Sequence, residues 1–214
     1  MKDSPPNTRK ALVATLVLLL LVGIYRSVPL ILADYHDYIS LSYQQKWAKQ
    51  GAIASVDEWK QGFHHAARAV AIDDTSPAVM ERLGRMYEWY GYAKGNTPLV
   101  AQTNNSHALH LYLKAAALRP TRPNVWADIV LLKAKQHQFD SQANNAVQHA
   151  YSLGQHDREV QRKLFQALVM EWDNWSTSSQ QIGRELFSLM QKTTGKRFSI
   201  NLVKQHQREA EFAL

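Results

Sequence analysis

The chain has no cysteine. That excludes structural disulfides, thiol nucleophiles and zinc–thiolate sites together. It also lacks the motifs that most directly announce chemistry. There is no G-x-S-x-G elbow, no P-loop, no G-x-G-x-x-G fingerprint and no H-E-x-x-H zinc helix. Long stretches of alternating β-branched residues are missing, which argues against strands. A strong charge of either sign is missing too. The formal net charge is +7. Lys2, Arg9, Lys10 and Arg26 less Asp3 carry +3 of it, leaving +4 on the rest. So diffuse an excess is no nucleic-acid footprint.

What is present begins at the N-terminus. Lys2, Arg9 and Lys10 lead into the uncharged apolar run Ala11–Tyr25 (ALVATLVLLLLVGIY). Extended through Val28, the run gives about 27 Å of helix, close to a hydrocarbon core of about 30 Å, with the Arg26 guanidinium snorkelling to the headgroups. Tyr25, Tyr35 and Tyr38 suit an interfacial belt. Pro29 disfavours the α conformation at Val28 and predicts a kink or short break there. The run also has the layout of a signal peptide, but a cut after Ala33 would place the large Ile31 at the −3 position. A retained anchor is the preferred reading. Either way the basic residues stay in the cytoplasm and the bulk of the chain is exported. The expected placement is a bacterial inner membrane, single-pass through residues 11–28, with residues 1–33 as basic region and anchor and residues 34–214 as a periplasmic domain.

After the anchor about 180 residues remain, enough for one domain or one repeat array held by an apolar core. They read as helix throughout. Expected helices cover Leu30–Lys49, Ser55–Ile72 with Ser55 and Glu58 as a capping box, and Pro77–Tyr92. Ala93–Ser106 (AKGNTPLVAQTNNS) reads as a polar loop. Further helices are expected over His107–Leu118, Asn124–His137, Asp140–Leu153 with Gly154 as C-cap, Asp157–Trp172, Ser176–Thr193 and Ser199–Phe212.

Helices in pairs invite a search for a period. Met80-x-x-Leu83-Gly84-x-x-Tyr87 matches the first half of a tetratricopeptide unit, with Met in place of Trp. Ala108-x-x-x-Tyr112-x-x-Ala115-x-x-x-x-Pro120 matches the second half, and Trp126 stands where the next unit begins. Small Gly84, Ala108 and Ala115 let two helices approach, while Leu83, Tyr87 and Tyr112 fill the space between them. Met80 to Trp126 exceeds the repeat of about 34 residues by about 12, assigned to the Ala93–Ser106 loop. The fold class is therefore all-α: a transmembrane helix followed by a short tetratricopeptide-like α-solenoid of antiparallel helix pairs. The best unit is 77–120.

Candidate chemistry is sparse. Trp89 and Tyr92, three residues apart, are the candidate interaction surface, able to stack on sugar rings if exposed; packing against a neighbouring helix is the bland alternative. His107 and His110 lie one turn apart, without the further ligands a metal needs. Glu171 and Asp173, two apart, face away from each other on a helix and form no carboxylate pair for glycoside chemistry. The C-terminal cations Lys192, Lys196, Arg197, Lys204 and Arg208 read as a solvated face, with contact to anionic lipid or acidic polymer as the alternative. No catalytic, cofactor-binding or metal residue is assigned, and the chain is read as a binding protein, not an enzyme.

Several segments together resemble a known family. They are Asp34-Tyr35-His36-Asp37-Tyr38, Glu58-Trp59, Leu83-Gly84-Arg85-Met86-Tyr87-Glu88-Trp89 and Ala115-Ala116-Ala117-Leu118-Arg119-Pro120-Thr121-Arg122-Pro123-Asn124-Val125-Trp126-Ala127. Over most of its length the chain is similar to the VpsP-like polysaccharide-biosynthesis family. The resemblance implies an accessory role in exopolysaccharide biosynthesis or export, an inner-membrane anchor and a periplasmic helical repeat, with no catalytic residues to carry over. The expected partner is a membrane protein of that machinery, with the polysaccharide itself as a possible ligand. Two further readings stand beside it: a glycan-binding module and a general cell-envelope assembly adaptor.

Overall fold

A computed structural model of the chain describes residues 6–91, 93 and 96–212. Among the described residues there are nine α-helices, two single-turn 3₁₀ segments and no strands. The helices are α1 (Pro6–Gln50), α2 (Val56–Ile72), α3 (Pro77–Gly91), α4 (Pro98–Leu118), α5 (Pro123–Lys135), α6 (Ser141–Gly154), α7 (Arg158–Met170), α8 (Thr177–Gln191) and α9 (Lys196–Gln205). The chain divides into two compact units, one ending at Thr75 and the other beginning at Ser76. The division does not fall at Ala33, because α1 runs on without interruption past that residue.

In the first unit α1 has 45 residues, about 67 Å of helix. The break expected at Val28–Pro29 is absent, and Pro29 lies inside the helix. A proline there forfeits one backbone hydrogen bond, but the rest of the ladder continues on both sides. The side chains from Leu12 to Leu32 stand exposed, Leu20 by 66 % and Ile31 by 66 %. One helix near the N-terminus is thus long and apolar enough to span a membrane. Burial starts at Ala33 and returns at Ser40, Gln44 and Trp47, spaced to share one helix face. The left-handed Gly51 (φ 71°) ends the helix.

That face meets α2. Tyr43 bonds Gln61 and Trp47 bonds Glu58, so the two helices run antiparallel. Ser55 caps α2 as expected, its Oγ accepting from the Glu58 amide at 3.1 Å. The reciprocal half of the capping box is replaced. The Glu58 carboxylate turns to α1, accepting from Trp47 Nε1 at 2.6 Å and Lys46 Nζ at 3.2 Å. Trp47 is fully buried, so its indole N–H must find an acceptor, and this demand outweighs a cap bond exposed to water.

Nearer the anchor, His36 Nδ1 lies 2.9 Å from His65 Nδ1, with His64 beside them. Burial holds the His65 pKa below its ordinary value near 6.5, and the charges of His36 and His64 push it the same way. A depressed folded pKa favours the neutral ring. The stabilisation is complete above about 6.5 and is lost as pH falls through the folded value. Hydrogen exchange of α2 amides, corrected for intrinsic rates, is expected to quicken between pH 7.5 and 5. In His65→Gln that acceleration should shrink, and an unchanged acceleration would remove His65 as its cause.

In the second unit α3 lies on α4, α5 lies on α4, α6 and α7, and α8 and α9 follow against α7. One apolar core runs through it, from Met80 and Tyr112 by Val125, Ile129, Leu132, Val147, Leu164 and Leu168 to Leu186 and Met190. Its far end is aromatic: Phe212 packs 4.8 Å from Trp172, 5.0 Å from Phe187 and 5.6 Å from Phe165. Caps set the boundaries. Asp140, Asp157 and Ser176 each accept from amides in the first turn of α6, α7 and α8.

Three expected segments differ. The Ala93–Ser106 loop is mostly helix, because α4 begins at Pro98 with Thr97 as its N-cap. Its polar run is satisfied within the helix. Thr103 Oγ1, Asn104 Nδ2 and Ser106 Oγ donate to the carbonyls of Leu99, Val100 and Gln102, four residues back. Residues 98–106 thus lengthen a helix. Gly154 has no positive φ and does not end α6 in a left-handed turn. It is a packing glycine, since a Cβ there would stand 2.7 Å from both Pro123 and Val160 side chains. The last helix is shifted: α9 spans Lys196–Gln205, Gln207 turns left-handed, and Ala210–Phe212 is a 3₁₀ turn.

Candidate functional site

The repeat residues meet in the second unit. Gly84 of α3 faces the Tyr112 ring of α4, and a Cβ there would lie 2.7 Å from Tyr112 Cε1. Ala108, Tyr112 and Ala115 are fully buried and Leu83 nearly so. Tyr87 is partly buried, its ring stacked on His107 at 5.0 Å. Trp126 donates from Nε1 to the carbonyl of the exposed Pro120 at 2.7 Å, and its ring stacks on His149 at 4.6 Å. That bond fixes the corner between α4 and α5.

Trp89 is partly buried, and Tyr92 lies outside the described residues. The Asn96 side chain donates to the Tyr90 carbonyl and closes the end of α3. His107 and His110 are both exposed. Among the described residues no three of His, Asp or Glu are placed to hold a metal ion. Glu171 pairs with His137 at 3.3 Å and Asp173 with Arg208 at 2.6 Å, so these carboxylates point to different partners.

A feature that the sequence does not announce lies within the second unit. Charged side chains of α3, α5 and α7 join in a seam. Asp128 of α5, only 6 % exposed, accepts from Lys163 of α7 at 2.6 Å and pairs with Arg85 of α3 at 3.8 Å. Lys163 also meets Glu159 at 2.8 Å. Arg122, at the corner before α5, reaches Glu81 of α3 at 3.4 Å. Glu88 accepts from Tyr112 Oη at 2.5 Å.

The electrostatics follow from crowding in a desolvated seam. Burial pushes the Glu81 carboxyl above the ordinary range, with Arg122 pulling it back. Burial raises Glu88 as well, reinforced by Asp128 and opposed by Lys135 and Tyr112. Tyr112 rises well above a free phenol through burial and the neighbouring Glu88. For Lys163, burial opposes the charge but Asp128 and Glu159 overcome it, so its pKa rises. The seam ties α3, α5 and α7 together. Asp128 could have been noticed as the one acid inside the apolar run Val125–Leu132. No protein-family model matches this chain, and no curated protein matches it.

Proposed function

We infer that this chain is an accessory, membrane-anchored scaffold for bacterial exopolysaccharide biosynthesis or export, acting by protein–protein contact. The observation that carries the reading is α1: an exposed apolar segment that continues, in one unbroken helix through Ala33, into the packed contact with α2. Cutting after Ala33 would divide that helix at a residue only 1 % exposed. An anchor continuous with the folded part keeps the domain beside membrane-embedded partners. In this reading the orientation is N-terminus in the cytoplasm and bulk in the periplasm, from the basic residues that precede the span.

The pairs α3–α4, α5–α6 and α7–α8 are taken as successive tetratricopeptide-like units. Gly84 against Tyr112, the Pro120–Trp126 corner and a seam linking the first helix of each pair support this stacking. Helical repeats present broad surfaces to partners, and here that partner is a membrane protein of the polymer machinery. The similarity of the arginine–proline corner and the Leu83–Trp89 segment to the VpsP-like family supplies the biological setting.

Deleting the protein should change the yield or length of the exported polymer while lipid-linked precursors continue to be made. The intact, anchored form should co-purify with a membrane protein of the same machinery. Unchanged polymer in the deletion strain, or a mature N-terminus at Asp34, would overturn the reading.

A further inference from the structure

Two arginines of α7 gain a setting that the sequence alone does not give them. Between α7 and the α8–α9 corner lies a cleft of about 290 Å³, lined by Arg158, Gln161, Arg162, Met190 and the turn Thr193–Gly195. No carboxylate lines it. The neighbouring acids are engaged elsewhere: Asp157 caps α7, and Glu159 meets Lys163. Arg158 and Arg162 stand four residues apart on α7 and so project from the same face, where two like charges repel. Neither makes an ion pair among the described residues. Arg162 is instead held by its guanidinium stacking 4.8 Å over the Phe198 ring.

The rest of the cleft is built rather than incidental. Gln161 is 7 % exposed and fixed by donating to the Gln155 carbonyl at 2.6 Å. Thr193 Oγ1 donates to the Met190 carbonyl and accepts from the Gly195 amide, which shapes the turn. Lys196 and Arg197 follow at once in α9, whose first turn has no acid and no side-chain cap. Two solvent-reaching guanidinia, one of them held by ring stacking, and no carboxylate in the lining make a cleft suited to an anion.

We propose that this cleft binds an oxyanion, a phosphate or carboxylate group carried on a ligand no larger than about one sugar unit. Its volume sits at the lower edge of ligand pockets, about 300 Å³, and so favours a small acidic group over a nucleotide. Arg158 and Arg162 supply the charge-assisted hydrogen bonds, and the exposed Thr194 hydroxyl adds a neutral donor at the rim. The site goes beyond the scaffold reading, requiring neither the anchor nor any particular machinery, so either can fail without the other.

The test is calorimetric titration of the full chain in detergent at low salt. Inorganic phosphate and glucuronate are the two probes, with glucose as the uncharged control. Saturable binding of at least one anion, and none of glucose, is expected. Phosphate alone saturating assigns a phosphorylated ligand, and glucuronate alone an acidic sugar. Arg158→Gln, which gives up no hydrogen bond or ion pair among the described residues, should weaken the anion by about tenfold or more while thermal unfolding stays unchanged. Arg162→Lys keeps the charge but loses the planar fork, and should weaken it less. No saturation by either anion, equal binding of glucose, or full affinity in Arg158→Gln would overturn the proposal.

Discussion

Replacing Asp128 by alanine should cost about 3 kcal/mol or more of folding stability, because it breaks a buried pair by removing one partner only. Asp128 is the centre of the seam, holding Lys163 at 2.6 Å and Arg85 at 3.8 Å from opposite sides. Without it Lys163 retains Glu159, but Arg85 loses its one ion pair among the described residues, keeping only the longer-range pull of Glu159 and Glu81. Asparagine at the same position keeps the shape yet not the charge, and should cost nearly as much. The second half of the expectation concerns recovery. Removing Lys163 as well, as Asp128→Ala with Lys163→Met, should regain part of the loss, since the stranded cation goes with its partner. Denaturant unfolding of the full chain in detergent, followed by far-UV circular dichroism, measures both. A cost below about 1 kcal/mol for Asp128→Ala would mean that these charges behave as a solvated surface cluster.

The seam also explains where reading the sequence succeeded and where it could not. Local chemistry was legible. Ser55, Asp140, Asp157 and Ser176 stand at helix starts because a short side-chain oxygen can reach an amide two or three residues on, a relation written in adjacent letters. The Gly84–Tyr112 contact was legible for a different reason: it belongs to a pattern whose spacing encodes one helix lying on another. By contrast, Asp128 finds its partners at Arg85 and Lys163, each more than thirty residues away. No local signal says which distant cation will neutralise a buried acid. The pairing of His36 with His65 is of the same kind, since the two lie 29 residues apart and no local pattern joins them.

Polarity misled in the opposite direction at residues 98–106. Asn, Thr, Ser and Gln there suggested a loop, because such side chains compete with the backbone for hydrogen bonds. In α4 they return those bonds to carbonyls one turn back and the helix persists. Thr97 followed by Pro98 was the overlooked signal, a capping residue ahead of a proline in the first turn. Gly154 misled similarly. A glycine after a helix suggests a left-handed cap, but here the missing Cβ matters for Pro123 and Val160, which approach too closely to admit one.

Filling the Gly84 notch should have the other large effect. A Cβ at Gly84 would lie 2.7 Å from Tyr112 Cε1 and 3.1 Å from Cδ1 and Cζ. The ring cannot step aside, being fully buried and tied through its hydroxyl to Glu88. Gly84→Ala gains about 1 kcal/mol of helix propensity but meets overpacking of about 1–3 kcal/mol, so a net loss is expected. Gly84→Leu should exceed it, costing about 3 kcal/mol or more. Tyr112→Leu combined with Gly84→Ala should recover much of the single-variant loss, because the two residues occupy one space. The distribution of the damage bears on architecture. If α3–α4, α5–α6 and α7–α8 are stacked units with neighbour-to-neighbour stability, amide exchange in Gly84→Leu should rise steeply in α3 and α4 and little in α7 and α8. Equal acceleration from α3 to α8 would mark one cooperative core, and the repeat reading would give way to a single helical globule.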